Sequence, residues 1–181
     1  MKKISIIGSG LAGLSSAISL SNEGHKVSVY EQNGVVGGGG DNFQAVRNYD
    51  LPYDFLSYLK EKGIKVNNAK PITKIIKYSP SGKSMVVQSD TKPLFYVFRR
   101  GNNSKESIDN QLYNQAVSQG VSFLFNERRT LTSGDIVATG PIFRNVWGYG
   151  AVFEGVHVDE STIHLFMENN YAPKQINRQH V

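Results

Sequence analysis

The sequence predicts an α/β fold of three layers, built on a parallel sheet with a small antiparallel sheet inserted into it. Three observations carry that prediction. A short apolar run, Lys3 to Ile7, leads into G-x-G-x-x-G at Gly8, Gly10 and Gly13 and then into a helical pattern. A second strand pattern ends at Glu31, so strand, helix and strand fit within about 31 residues, the size of one βαβ unit. Between residues 64 and 98 strand-like runs follow one another directly, before helix and strand alternate again.

Each glycine of the first motif has a physical role. Gly8 lets the chain turn sharply out of the strand. Gly10, without a Cβ, lets a pyrophosphate come close to the backbone, and Gly13 lets the helix pack tightly on the strand. The N–H groups that open the helix have no intrahelical acceptors, and the helix dipole places partial positive charge there. A phosphate fits that end without a basic side chain.

The first helix is expected over Leu11–Asn22, with Leu14, Ala17 and Ile18 on one face and Gly24 as its C-cap. Residues 25–31 read as the second strand, with Val27 and Val29 alternating. At its end, the two oxygens of Glu31 can receive both hydroxyls of an adenosine ribose, and the charge repels a 2′-phosphate. Residues 37–40 are four consecutive glycines, suited to a loop that passes close to a ligand. Residues 41–50 read as irregular, with Phe43 and Tyr49 as anchors. Pro52 opens a helix that runs to Lys62 and stops at Gly63.

Strands are expected at 73–78 and 85–89, joined as a hairpin by Ser79-Pro80-Ser81-Gly82, with another at 94–98. Asn103 and Glu106 have capping-box spacing ahead of a helix bearing Ile108, Leu112 and Ala116 and ending at Gly120. Strands at 121–125 and 135–138 follow, and 152–158 and 162–167 read as strands of a second layer.

Composition narrows the classes of function. The chain has 181 residues, 39% hydrophobic and 19% charged, enough for one core. No apolar run reaches the ~18 residues of a membrane span. Met1-Lys2-Lys3 precedes apolar residues, but the glycines at 8, 10 and 13 make that stretch a turn rather than a secretory signal. There are no cysteines, which excludes disulfides, thiolate metal sites and a redox-active thiol pair and fits a cytoplasmic protein. The charge of +5 is scattered, without a basic stripe interleaved with aromatics, so no nucleic-acid partner is expected.

The four histidines show no metal-ligand spacing, and His164 reads as a structural histidine in an apolar strand. No G-x-S-x-G elbow, Walker lysine or triad stands out, so catalytic residues are unassigned and the chemistry is expected to be a cofactor's. Arg99-Arg100-Gly101 lies between a strand and the capped helix, where an arginine could reach a phosphate or a flavin side chain. Ala138-Thr139-Gly140 closes a strand at the edge where a nucleotide would lie.

Taken together, these residues resemble the N-terminal FAD-binding part of the FAD-dependent oxidoreductases related to geranylgeranyl reductase and p-hydroxybenzoate hydroxylase. The likeness rests on Ile6-Ile7-Gly8-Ser9-Gly10-Leu11-Ala12-Gly13-Leu14, on Tyr30-Glu31 and on Gly37-Gly38. It extends through the block from Leu94 to Arg100-Gly101, Ser107 to Leu112 and Gly120-Val121, to Ala138-Thr139-Gly140 and to Tyr171-Ala172-Pro173-Lys174. It implies a Rossmann-like FAD/NAD(P)-binding fold. The FAD pyrophosphate would lie along Gly8, Ser9, Gly10, Leu11, Ala12 and Gly13. Glu31 would bind the adenosine ribose, and Tyr30, Gln32, Gly37, Gly38, Arg100, Ala138, Thr139 and Gly140 would complete the cofactor contacts.

The resemblance further implies hydride transfer through FAD to or from a small-molecule substrate, prenyl or otherwise apolar, with a nicotinamide donor. Residues 1–140 would form the FAD-binding domain, with the antiparallel insertion at about 64–98. Residues 141–181 would begin a substrate domain. The family continues past the position of Lys174 with a second nucleotide-contacting G-D segment, where this chain reads Gln175 to Val181. A shortened chain with bare apolar surface and a tendency to self-associate is therefore expected. A non-catalytic FAD- or ADP-binding remnant and an NAD-binding domain are the alternatives.

Overall fold

The structure, a computed structural model, describes residues 1–37, 42–130, 136–140, 157 and 159–166. The expected strand at 152–158 falls almost wholly outside the described residues. Gly38 and the Tyr171-to-Lys174 segment lie outside them entirely.

The N-terminal unit forms as the periodicity predicts. β1 (Lys3–Ile7) leads into α1 (Leu11–Asn22), which returns to β2 (Lys26–Glu31). β1 and β2 pair in parallel with Ile7 opposite Tyr30. Leu14, Ala17 and Ile18 of α1 are fully buried, and they pack with Ile6, Val27 and Val29 in one apolar cluster. Successive side chains of a strand point to opposite faces. Ile6 and Val29 therefore turn to the helices, while Ser5 and Tyr30 turn to the other face.

β3 (Asn42–Arg47) and α2 (Phe55–Glu61) follow, then β4 (Lys70–Ile72), β5 (Lys74–Tyr78), β6 (Ser84–Gln88) and β7 (Phe95–Arg100). The chain then forms α3 (Ile108–Ser118), β8 (Ser122–Phe125), β9 (Ile136–Val137) and β10 (Thr162–Phe166). The strands make three sheets. One is parallel, in the order β8-β2-β1-β9; the others are β3-β7-β4 and β10-β5-β6. Buried Ile108, Leu112 and Ala116 bring α3 against α1 on the helical side of the parallel sheet.

Four local expectations are corrected. Residues 42–47 form a strand, not an irregular stretch. β3 is an exposed edge, so it lacks alternation and is held by antiparallel pairing to β7, with Val46 opposite Tyr96. Phe43 is 60% exposed and is no anchor, while Tyr49 meets Phe95 edge-on although it stays half exposed. α2 starts after Asp54, whose carboxylate accepts from Ser57 N–H at 3.0 Å, and not at Pro52. α3 is capped by Ser107, whose hydroxyl accepts from Asn110 N–H at 3.2 Å. The Asn103/Glu106 box therefore does not open it.

The inserted strands divide between two sheets. The β5–β6 hairpin is antiparallel as expected, but β10 joins β5 in parallel with His164 opposite Ile76. His164 lies exposed on β10, where its Nδ1 is 3.1 Å from the Tyr78 hydroxyl.

Candidate functional site

The parallel register decides where the polar ends of the strands meet. Gly8 follows β1, Glu31 ends β2, residues 126–129 follow β8 and Ala138 follows β9. All four lie at the C-terminal edge of one sheet, where open α/β sheets bind ligands. Gly8 N–H donates to Tyr30 O at 2.8 Å, Ala138 N–H to Ile7 O at 2.8 Å and Glu127 N–H to Glu31 O at 2.9 Å. The edge is therefore laced together by backbone. Beside it opens a cleft of about 550 Å³.

Close packing makes that edge. A Cβ on Gly8, at φ +103°, would stand 2.5 Å from Ala138 O, and one on Gly13 would fall on the Gly8 carbonyl oxygen. Strand, turn and helix touch there without room for a side chain. Gly10 differs: among the described residues, a Cβ there would meet nothing within 4 Å. It is the N-cap residue of α1, it offers no side-chain cap, and the first turn carries no acid. The helix-opening N–H groups thus face an open approach without a built-in anion, an arrangement that accepts a phosphate.

Glu31 is 7% exposed. Its Oε2 accepts from Ser9 N–H at 2.9 Å and from Ser9 Oγ at 2.7 Å. Its Oε1 accepts from Asn33 N–H and Asn33 Nδ2, both at 2.9 Å. The carboxylate ties the glycine turn to the end of β2.

Arg100 ends β7 and forms a two-pronged ion pair with buried Asp109, Nε to Oδ2 at 2.8 Å and Nη2 to Oδ1 at 2.9 Å. Asp109 also accepts from Gly101 N–H at 2.9 Å. Arg100 Nη1 meets Gln44 Oε1 as well. Gly37 lies against the same aspartate, since a Cβ on it would stand 2.7 Å from Asp109 Oδ1. One buried carboxylate in the first turn of α3 thus holds two parts of the cleft wall.

Of the sequence-predicted residues, Gly8, Ser9, Gly10, Tyr30, Glu31, Gln32, Gly37, Arg100, Ala138, Thr139 and Gly140 line this cleft. Leu11 and Ala12 line an adjoining cavity that shares Arg100 and Ala138-Thr139-Gly140. Gly13 is buried beneath the turn. Asn33, Glu127, Arg128 and Arg129 line the cleft and were not expected from sequence. Arg129 lies over the Tyr30 ring at 4.2 Å and donates to Ser5 Oγ at 3.2 Å. The sequence signal at this position is the adjacent basic pair Arg128-Arg129. Among the described residues no group of three or more His, Asp or Glu gathers to hold a metal, and no helix is long and apolar enough to cross a membrane.

A parallel sheet with a glycine turn, an uncapped helix N-terminus and a carboxylate ending the second strand is the architecture of a dinucleotide-binding α/β fold. Residues 6–61 match the profile of the NAD(P)-binding Rossmann-like domain. The 1-hydroxycarotenoid 3,4-desaturase of Flavobacterium sp. (strain P99-3) is 55% identical over 38 residues, 21% of this chain and 8% of that enzyme. The zeta-carotene desaturase of Solanum lycopersicum is 50% identical over 36 residues, 20% of this chain and 6% of that enzyme. These matches span a small fraction of the relatives' length.

Solved structures extend the likeness in fold. A tetrameric form of 2-methyl-3-hydroxypyridine-5-carboxylic acid oxygenase superposes with a TM-score of 0.54 at 18% identity, covering 70% of this chain and 32% of that one. PqsL, a probable FAD-dependent monooxygenase of Pseudomonas aeruginosa, superposes with a TM-score of 0.52 at 17% identity over 70% of this chain and 33% of its own. The chain therefore shares a Rossmann-like fold with these two structures and spans about a third of their length.

Proposed function

We propose that this chain binds FAD through its ADP half and works as the nucleotide-binding part of an FAD-dependent oxidoreductase. The observation that carries the reading is the junction of Gly8, Gly10 and Glu31. There an uncapped helix N-terminus and a strand-end carboxylate line one cleft. The Rossmann-like match and the oxygenase and desaturase relatives support it.

In this reading the N–H groups at Gly10 to Ala12 hold the pyrophosphate, and Glu31 takes the adenosine ribose. Gly37 and Ala138-Thr139-Gly140 let the cofactor lie close to backbone. Arg100, its charge paired with Asp109, offers its remaining guanidinium N–H donors to the phosphate side. FAD held there supplies hydride transfer; the chain's own residues bind and orient it. The geranylgeranyl-reductase-like family, a prenyl or other apolar substrate, a nicotinamide donor, a cytoplasmic setting and self-association are the finer parts of the proposal. So is the division into a nucleotide domain at 1–140 and a substrate-side segment at 141–181.

Flavin absorbance of the purified protein, with calorimetric titration of FAD, ADP and NAD, tests the reading. FAD and ADP binding at one shared site is the expected result. The match of residues 6–61 to the NAD(P)-binding Rossmann-like domain favours NAD binding as a second reading. Binding of NAD in preference to FAD would select it, and binding of neither would remove both.

A further inference from the structure

The carboxylate that a ribose would need is already saturated. Ionised carboxylates offer about four lone-pair sites, and Ser9 N–H, Ser9 Oγ, Asn33 N–H and Asn33 Nδ2 fill them, two on each oxygen of Glu31. A further donor enters only by displacing one of these four.

They are not equally held. Ser9 N–H belongs to the glycine turn. Asn33 N–H belongs to a backbone whose own carbonyl accepts from Asn126 N–H at 3.1 Å. Ser9 is wholly buried, so its hydroxyl would lose its partner inside the protein if it were displaced. Asn33 is exposed on the cleft wall, and its amide reaches water as soon as it swings out. The cheapest vacancy on Glu31 is therefore the position on Oε1 taken by Asn33 Nδ2.

We infer that the Asn33 side chain is a placeholder for the ribose: its Nδ2 occupies the lone pair of Glu31 Oε1 that a ribose hydroxyl takes, and nucleotide binding exchanges one for the other. The inference rests on the nucleotide reading above. Asn33 then sets affinity by competition, and only a ligand bearing ribose hydroxyls feels it. A nucleotide without those hydroxyls has no reason to displace the amide.

The test is calorimetric titration of ADP and of 2′,3′-dideoxy-ADP against wild type, Asn33→Ala, Asn33→Leu and Glu31→Ala/Asn33→Ala. Leucine keeps the branched skeleton of asparagine and removes its donor, so it guards against a loop effect of the smaller residue. Either single substitution should tighten ADP binding by about threefold to tenfold, the worth of one net hydrogen bond. Dideoxy-ADP should bind as before, and the gain should vanish without Glu31. ADP binding that is weakened or unchanged in both variants overturns the inference while leaving the nucleotide reading standing. An equal gain for both ligands does the same. A wild type that binds neither ADP nor FAD removes the nucleotide reading, and the inference with it.

Discussion

At the glycine-turn edge of the parallel sheet, backbone meets backbone so closely that a single Cβ has nowhere to go. On the hairpin strand β6, every residue of Ser84–Gln88 is exposed, including Met85 at 54% and Val86 at 53%. Both regions are paired strands. They differ in what lies on their faces. The parallel sheet has α1 and α3 packed on one face, so its strand side chains and glycines are constrained by neighbours on that side. Among the described residues β6 has only β5 beside it, so its identity is set by strand propensity more than by fit. Tolerance to substitution follows the packing and not the secondary structure.

The sharpest way to break that contrast is Gly13→Val. The added atoms fall on the Gly8 carbonyl and force α1 off β1. Destabilisation of about 3 kcal/mol or more and loss of ADP binding are expected, by urea unfolding and calorimetry. Leu14→Ala comes next. Leu14 is fully buried, and its truncation should cost about 2–5 kcal/mol by the same unfolding measurement. A cost below 1 kcal/mol at either position, on the scale of ordinary surface changes, would mean that the helical face is not the constraint it is argued to be.

Glu31→Ala sharpens the comparison at the site itself. It should weaken FAD and ADP binding alike by about 1–3 kcal/mol, and it leaves the buried Ser9 N–H without its acceptor. Unchanged affinities with lowered stability would make Glu31 a latch for the glycine turn and nothing more.

A smaller effect is expected at Asp54. Burial raises its carboxyl, but hydrogen bonds from Ser57 N–H, the Tyr96 hydroxyl, the Ser57 hydroxyl and Asn48 outweigh that and hold it below the ordinary value of 3.8. A carboxyl held lower in the folded state stabilises it above the unfolded pKa. That contribution is lost as pH falls through the folded value. Asp54→Asn should therefore flatten the loss of stability below pH 3.8, read from urea midpoints across an acid series. The partner responds in the opposite sense: burial, the hydrogen bond to Asp54 and its charge push the Tyr96 hydroxyl up to about 12. Last and smallest, Val86→Thr on β6 should change stability by less than about 0.5 kcal/mol. A larger loss would show that something packs on that strand.

Local patterns made the first unit legible. Leu11–Asn22 and the strand ending at Glu31 were readable because period and glycine chemistry act over a few residues. The same holds for the cleft residues of the glycine turn, Glu31 and Ala138-Thr139-Gly140. β3 was not readable, because an exposed edge strand has no buried face to write alternation into the sequence. The Asn103/Glu106 spacing pointed to the wrong cap, since Ser107 lies nearer the first buried residue, Ile108.

By itself, then, the sequence determined the α/β class, the βαβ unit and the chemistry of its turn, all of which depend on neighbours within one turn or one strand. Only the tertiary structure decided which distant groups share the cleft. Parallel pairing of β8 on β2 carries Glu127, Arg128 and Arg129 to the rim. The packing of α3 brings Asp109 to Arg100 and Gly37, and the bend after β2 turns Asn33 back onto Glu31. Those meetings are set by strand register and helix docking, which no local pattern encodes.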